Sequence, residues 1–168
     1  MGFMAAGKTT VGRILAQRLG WRFIDFDEEI VQRSGMDVAT LFRTRGEMAF
    51  RELELRLTAE LSSVDTTVLA PGGGWILNPG ARERLPANAV LVWLRVSPEE
   101  ALRRAGESGV ERPLLASDDP LGTARALLAD REPHYATADL IIDVDALAPE
   151  GIVNMILDQF ESESDGTE

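Results

Sequence analysis

The chain has 168 residues, with 17 Lys and Arg against 28 Asp and Glu, a formal charge of −11, and its length favours one domain over two. At 45% hydrophobic and 27% charged it has an ordinary globular composition, which excludes bulk disorder, and the negative charge excludes non-specific nucleic-acid binding, which relies on Lys and Arg displacing counterions. The lack of cysteine removes disulfides, thiolate metal sites and cysteine nucleophiles and makes the cytoplasm the expected compartment, and no apolar run reaches the ~18 residues of a membrane span.

Val11, Ile14, Leu15 and Leu19 recur at helical spacing behind Lys8, and Gly20 follows, so a helix is predicted over 8–19. Residues 21–26 mix aromatic and β-branched side chains and read as a strand ending in Asp25-Phe26-Asp27. Alternation along that strand end would turn Asp25 and Asp27 to different faces. Residues 28–62 read as helix, broken at Gly35 and Gly46. A strand over 67–70 is stopped by Pro71-Gly72-Gly73-Gly74, and Asn78-Pro79 reads as a helix cap with proline in the first turn. The strongest strand signal covers 89–96; Ser97-Pro98-Glu99-Glu100 then forms a capping box, with helix expected to about residue 104. Residues 105–119 lack periodicity and read as a mobile surface loop. Helix is predicted over 121–135, strand over 140–144 and a closing amphipathic helix over 151–160, while the tail 161–168 has no apolar residue and is expected to be disordered. Strands alternating with helices imply a parallel sheet covered on both faces, a single three-layer α/β domain over 1–160.

Gly2-Phe3-Met4-Ala5-Ala6-Gly7-Lys8-Thr9 fits the G-x-x-x-x-G-K-[ST] phosphate loop, in which backbone N–H groups wrap phosphates, the lysine reaches β and γ, and the hydroxyl holds magnesium. A helix opens at Lys8, as the motif requires, with its positive end toward the phosphate. A phosphate loop normally follows a buried strand, and no such strand precedes Gly2. A slot lacking a strand would leave several buried polar groups unpaired, at roughly 1 to 3 kcal/mol each, so the native product is expected to begin about ten residues upstream with a Val/Ile/Leu-rich strand, and the sheet to show a gap before Gly2. Asp25 and Asp27 offer two carboxylate roles, one holding magnesium through water and one meeting a hydroxyl; the competing reading makes Asp27 a helix cap. On the following helix Phe50, Arg51 and Glu54 share a face, so that Glu54 can brace Arg51 while Phe50 covers apolar ligand surface. The triple glycine removes three side chains at the carboxyl edge of the sheet, where α/β proteins bind ligands. Arg112 lies in the mobile loop and Arg131 near the end of the next helix.

Taken together and in this order, these pieces resemble shikimate kinase, over nearly the whole chain to about Phe160. They are residues 2–10, Phe23-Ile24-Asp25-Phe26-Asp27, Gly46-Glu47 with Phe50-Arg51 and Glu54, the triple glycine, Arg112-Pro113-Leu114-Leu115, and Arg131 to Tyr135. The resemblance implies a P-loop NTPase sandwich of the nucleoside-monophosphate-kinase kind, with a substrate-binding helical segment over 27–56 and a lid over 105–119. It implies ATP-dependent phosphorylation of shikimate by a monomer that uses Mg2+ and needs neither nucleic acid nor membrane. Asp27, Lys8 and Arg112 would be catalytic. ATP would be held by Gly2, Ala5, Ala6, Gly7, Lys8, Thr9, Thr10, Arg104 and Arg112, with Arg104 flanking the adenine and Arg112 entering from the lid. Shikimate would be held by Asp27, Arg51, Gly73, Gly74 and Arg131, with both arginines on its carboxylate, and the metal by Thr9 and Asp25. The sequence departs from the family in Pro71, in the missing first strand and in Ala5, which stands where glycine is usual and would cost roughly 1 kcal/mol if its φ is positive. Trp93 reads as core, Trp75 as core or ligand platform, and His134 as a surface residue. A gluconate-type kinase and a nucleotide-binding protein without catalysis remain the alternatives.

Overall fold

The computed structural model describes residues 1–61, 63–108 and 117–164. Helix α1 (Lys8–Leu19) starts on the left-handed Gly7 and stops on Gly20, whose N–H turns back to the Gln17 carbonyl. Strand β1 (Arg22–Asp25) is shorter than its aromatic composition suggests, because the Asp25 carboxylate accepts from the N–H groups of Asp27 and Glu28 and starts α2 (Phe26–Ser34) at Phe26. This corrects two expectations. Asp27 lies in the first turn of a helix rather than alternating with Asp25 on a strand, and the cap is Asp25 rather than Asp27. Helix α3 (Val38–Leu61) is kinked at Gly46, where φ is 79° and ψ 168°. Behind β2 (Thr67–Ala70) come 3-10 turns at Trp75–Leu77 and Arg82–Arg84, and Asn78 closes the first of them instead of opening a helix.

Strand β3 (Val92–Arg95) keeps only the centre of the expected 89–96. Ser97 Oγ accepts from the Glu100 N–H and caps α4 (Pro98–Ser108), which runs past 104 into the segment expected to be loop. Asp119 caps α5 (Pro120–Tyr135), with Pro120 in the first turn. After β4 (Leu140–Asp143), α6 (Pro149–Ser164) continues beyond Phe160 into the expected disordered tail, and 165–168 lie outside the described residues. No helix among the described residues is long and apolar enough to cross a membrane.

Among the described residues the four strands form two parallel pairs, β1 with β2 (Arg22 opposite Thr67) and β3 with β4 (Val92 opposite Leu140). Among the described residues the sheet is interrupted between β2 and β3. Met1 alone bridges part of the interval: its amino group donates to the Val92 carbonyl, and its carbonyl accepts from the Leu94 N–H at 3.0 Å. The remainder is a largely apolar slot of about 290 Å³ bordered by Val68, Leu69, Val92 and Leu94. The buried side chains fall into two clusters. Phe3, Trp93, Tyr135, Ile142, Val153 and Ile156 pack around β3 and β4, while Ile24, Phe26, Leu41, Phe50, Leu57 and Trp75 pack around β1 and the α2–α3 layer. Met1, Ile76 and Ala138 touch both cores.

Candidate active site

The loop between Met1 and α1 turns tightly because of three unusual backbone conformations: φ is 148° at Gly2, 57° at Ala5 and 90° at Gly7. Gly2 has no alternative, since a Cβ there would stand 2.5 Å from the Leu94 carbonyl oxygen. Phe3 and Ala6 are fully buried and anchor the loop in the β3–β4 core. Gly7 gives α1 no side-chain cap, so the first-turn N–H groups keep their donor capacity for an anion at the positive end of the helix dipole. Lys8 Nζ folds over the loop and donates to the carbonyls of Gly2 at 3.0 Å and Phe3 at 2.9 Å. Thr9 Oγ1 donates to Asp25 Oδ2 at 2.6 Å, so one carboxylate ties the phosphate loop to the start of α2.

The triple glycine runs along the other wall, and each member makes room for charge. A Cβ at Gly72 would lie 2.9 Å from Glu54 Oε1 and 3.4 Å from Asp27 Oδ1; at Gly73 it would lie 3.3 Å from Arg131 Nη1; at Gly74 it would lie 2.2 Å from Arg51 Nη2. The bare backbone thus meets two carboxylates and two guanidinium groups in three residues. Arg51 bonds Glu54 Oε2 through Nη1 at 2.7 Å and Glu47 Oε1 through Nε and Nη2 at 3.2 and 2.9 Å. Burial opposes the charge on Arg51, but Glu54 and Glu47 together outweigh it and keep the guanidinium charged. Glu54 itself is fully buried, and burial pushes its carboxyl up despite the pull of Arg51. Arg131 is 6% exposed, lies over the Phe3 ring, and its Nε has no hydrogen-bond partner, an arrangement suited to receiving an anion.

One cavity of about 550 Å³ joins these parts. Its lining includes Ala5, Ala6, Gly7, Lys8, Thr9 and Thr10 of the loop, Asp25 and Asp27, Gly72 and Gly73, and Arg104 of α4. Arg51, Gly74 and Arg131 are not in this lining, although both guanidinium groups stand against the glycine run. Arg104 is held by Glu100 at 2.6 Å and by the carbonyl of Val144 at 2.6 Å. Arg112 lies outside the described residues. Phe50 does not cover ligand surface: it is buried against Phe42 with ring centroids 4.7 Å apart. Trp93 and Trp75 are both core, and Trp75 donates through Nε1 to Thr58 Oγ1 at 2.9 Å; His134 is exposed.

Two residues enter without having been assigned a site role. Tyr135 donates its hydroxyl to the Gly73 carbonyl, and burial pushes its phenol up to about 12, which keeps it a neutral donor. Its spacing of one helical turn from Arg131 on α5 is the signal that could have found it. Asn78 donates through Nδ2 to Glu54 Oε2 at 2.9 Å, a contact across 24 positions that no local pattern announces.

A family model for shikimate kinase matches residues 4–161. The chain is 40% identical over 158 residues to the shikimate kinase of Hahella chejuensis, spanning 94% of this chain and 82% of that protein. It is 46% identical over 145 residues to that of Moorella thermoacetica, spanning 86% and 83%. The fold superposes on shikimate kinase from Acinetobacter baumannii in complex with shikimate with a TM-score of 0.90 and 37% identity, over 96% of this chain and 90% of that one. A gluconokinase from Sinorhizobium meliloti matches 100% and 95% of the two chains with a TM-score of 0.63 at 19% identity, a likeness of fold alone.

Proposed function

Since the chain belongs to the shikimate kinase family and phosphorylates shikimate with ATP, we propose how its own side chains divide that work. The observation that carries the reading is the single cavity in which the phosphate loop and Asp27 face each other across Gly72 and Gly73. ATP lies with its phosphates in the loop, where the N–H groups of α1 and Lys8 neutralise the β and γ charge, and its base lies toward Arg104. Shikimate lies against the glycine run, its carboxylate on Arg51 and Arg131 and its reacting hydroxyl at Asp27. The hydroxyl oxygen bonds to the γ-phosphorus as the bond to the β–γ bridging oxygen breaks, ADP leaves, and Asp27 takes the hydroxyl proton. Lys8, with Arg112 from the lid, balances the charge that spreads in the transition state.

Among the described residues no group of three or more His, Cys, Asp or Glu converges on one point. The Thr9 hydroxyl and Asp25 carboxylate nevertheless form a pair of hard oxygen donors 2.6 Å apart beside the loop, which fits Mg2+, an ion that takes most of its ligands from water and phosphate. When bound, it supplies positive charge against the β- and γ-phosphate oxygens. We infer further that the protein works as a cytoplasmic monomer, in keeping with its lack of cysteine and of any membrane-crossing helix among the described residues.

A coupled ADP-release assay with ATP and magnesium tests the reading, with shikimate or gluconate as acceptor. Turnover is expected with shikimate and not with gluconate. Asp27→Asn should nearly abolish it while ATP affinity stays close to wild type, because the amide keeps the shape but cannot accept the proton. Tight ATP binding without transfer to shikimate would overturn the assignment.

A further inference from the structure

Glu54 has its two carboxylate oxygens in unlike surroundings. Oε2 accepts from Arg51 Nη1 at 2.7 Å and from Asn78 Nδ2 at 2.9 Å, while Oε1 has no hydrogen-bond partner and faces the bare Cα of Gly72. The terminal torsion of a glutamate is broad, so a single donor on the same helix does not fix the plane of the carboxylate. The second donor comes from a different element, the segment that leaves the triple glycine. Asn78 is itself fixed: its N–H bonds the Trp75 carbonyl and its carbonyl accepts from the Ala81 N–H, each at 3.0 Å. On its other side Arg51 meets Glu47, whose side chain is 64% exposed, and so open a pair constrains position little. The buried end therefore decides where the guanidinium stands, and with Nη2 packed on Gly74 there is little tolerance for displacement.

We propose that Asn78 is a positioning residue for the acceptor's carboxylate: its side-chain amide fixes the Glu54 carboxylate and, through it, the Arg51 guanidinium at the face of Gly74. This rests on the reading of Arg51 as a shikimate ligand. A neutral donor suits the task because it steadies the carboxylate without competing for its charge, as a lysine would, or repelling it, as an aspartate would. The charged and titratable groups around Glu54 are Arg51 on its own helix and Asp27 from α2; burial and, more weakly, Asp27 push its carboxyl up, while Arg51 and Asn78 hold it down.

The test compares wild type, Asn78→Leu and Asn78→Asp by the KM for shikimate and the KM for ATP between about pH 6 and 9, where an aspartic acid raised by burial and a like-charged neighbour titrates. Asn78→Leu should raise the KM for shikimate about tenfold, the scale of one hydrogen bond to a charged group, and leave the KM for ATP unchanged. Asn78→Asp keeps the shape, so it stays informative even if the leucine variant fails to fold. Protonated, it donates to Glu54 as the amide does; ionised, it repels Glu54. Its KM for shikimate should accordingly climb with pH relative to wild type, a signature that a merely structural role would not give. A flat ratio, or equal changes in both KM values, would overturn the role of Asn78. A wild type that does not phosphorylate shikimate would instead refute the function on which it rests.

Discussion

At the residue scale, Ala5 is the clearest strain in the phosphate loop. Its φ of 57° brings Cβ toward the following carbonyl, which glycine avoids. Ala5→Gly should therefore stabilise the protein by up to about 1 kcal/mol in urea unfolding, partly offset by the extra freedom glycine gives the unfolded chain. The glycine run makes a graded prediction. At Gly74 a methyl would stand 2.2 Å from Arg51 Nη2, whereas at Gly73 the nearest atoms are 3.3 Å away. Gly74→Ala should displace Arg51 and raise the KM for shikimate by at least tenfold, about 1.4 kcal/mol, with Gly73→Ala milder and the KM for ATP steady in both. The triple glycine was legible in the sequence as a place for close approach. What approaches it was only partly so, because Arg51 and Arg131 come from α3 and α5 and Glu54 reaches it only through burial.

At the element scale, Asp25 joins two starts. Its Oδ1 caps α2 and its Oδ2 takes the Thr9 hydroxyl at the start of α1. Asp25→Ala should cost about 1 kcal/mol for the lost cap, measured by thermal unfolding without ligand, and should also weaken the magnesium dependence of turnover. Unchanged stability would mean that water replaces the cap freely. Helices with a local stop or start signal were readable almost to the residue: α1 lies between Gly7 and Gly20, and α5 begins on Asp119-Pro120. Boundaries set by tertiary contact were not. Phe26 has strand-like chemistry yet enters α2, since the Asp25 cap and burial of its ring outweigh local preference, and α4 runs on to Ser108 through residues with weak periodicity. Asn78 carried a genuine cap signature beside Pro79, but the amide is drawn inward by Glu54.

For the whole molecule, the interrupted sheet has a measurable electrostatic cost. The Met1 amino group lies in the interior against the Val92 carbonyl, and burial, with a smaller push from Lys8, lowers it to about 5 from its usual 8.0. In a chain whose first residue is Met1, the unfolded state then binds a proton that the folded state does not between those two values. Stability should rise with pH from about 5 to 8 and level off above, on the scale of a few kcal/mol. Chemical denaturation at several pH values checks this, and Nα-acetylation should flatten the slope across that window. A slope that survives acetylation would point to another group.

The two half-cores have a consequence for timing. Phe3 and Ala6 of the loop belong to one, whereas Phe50 beside Arg51 belongs to the other, and three partly buried side chains span the seam. The phosphate loop therefore rests on one cluster and Arg51 on the other, while Arg131 over Phe3 and the Thr9–Asp25 bond reach across, and a pair of ligands that touches both sides would add to that joining. Amide hydrogen–deuterium exchange in β2 should be fast in the free protein, little slowed by either substrate alone, and slowed markedly when a non-hydrolysable ATP analogue and shikimate are present together. The reacting complex would then be the most tightly knit form this chain adopts, assembled in the instant before transfer and loosened by the departure of its own products.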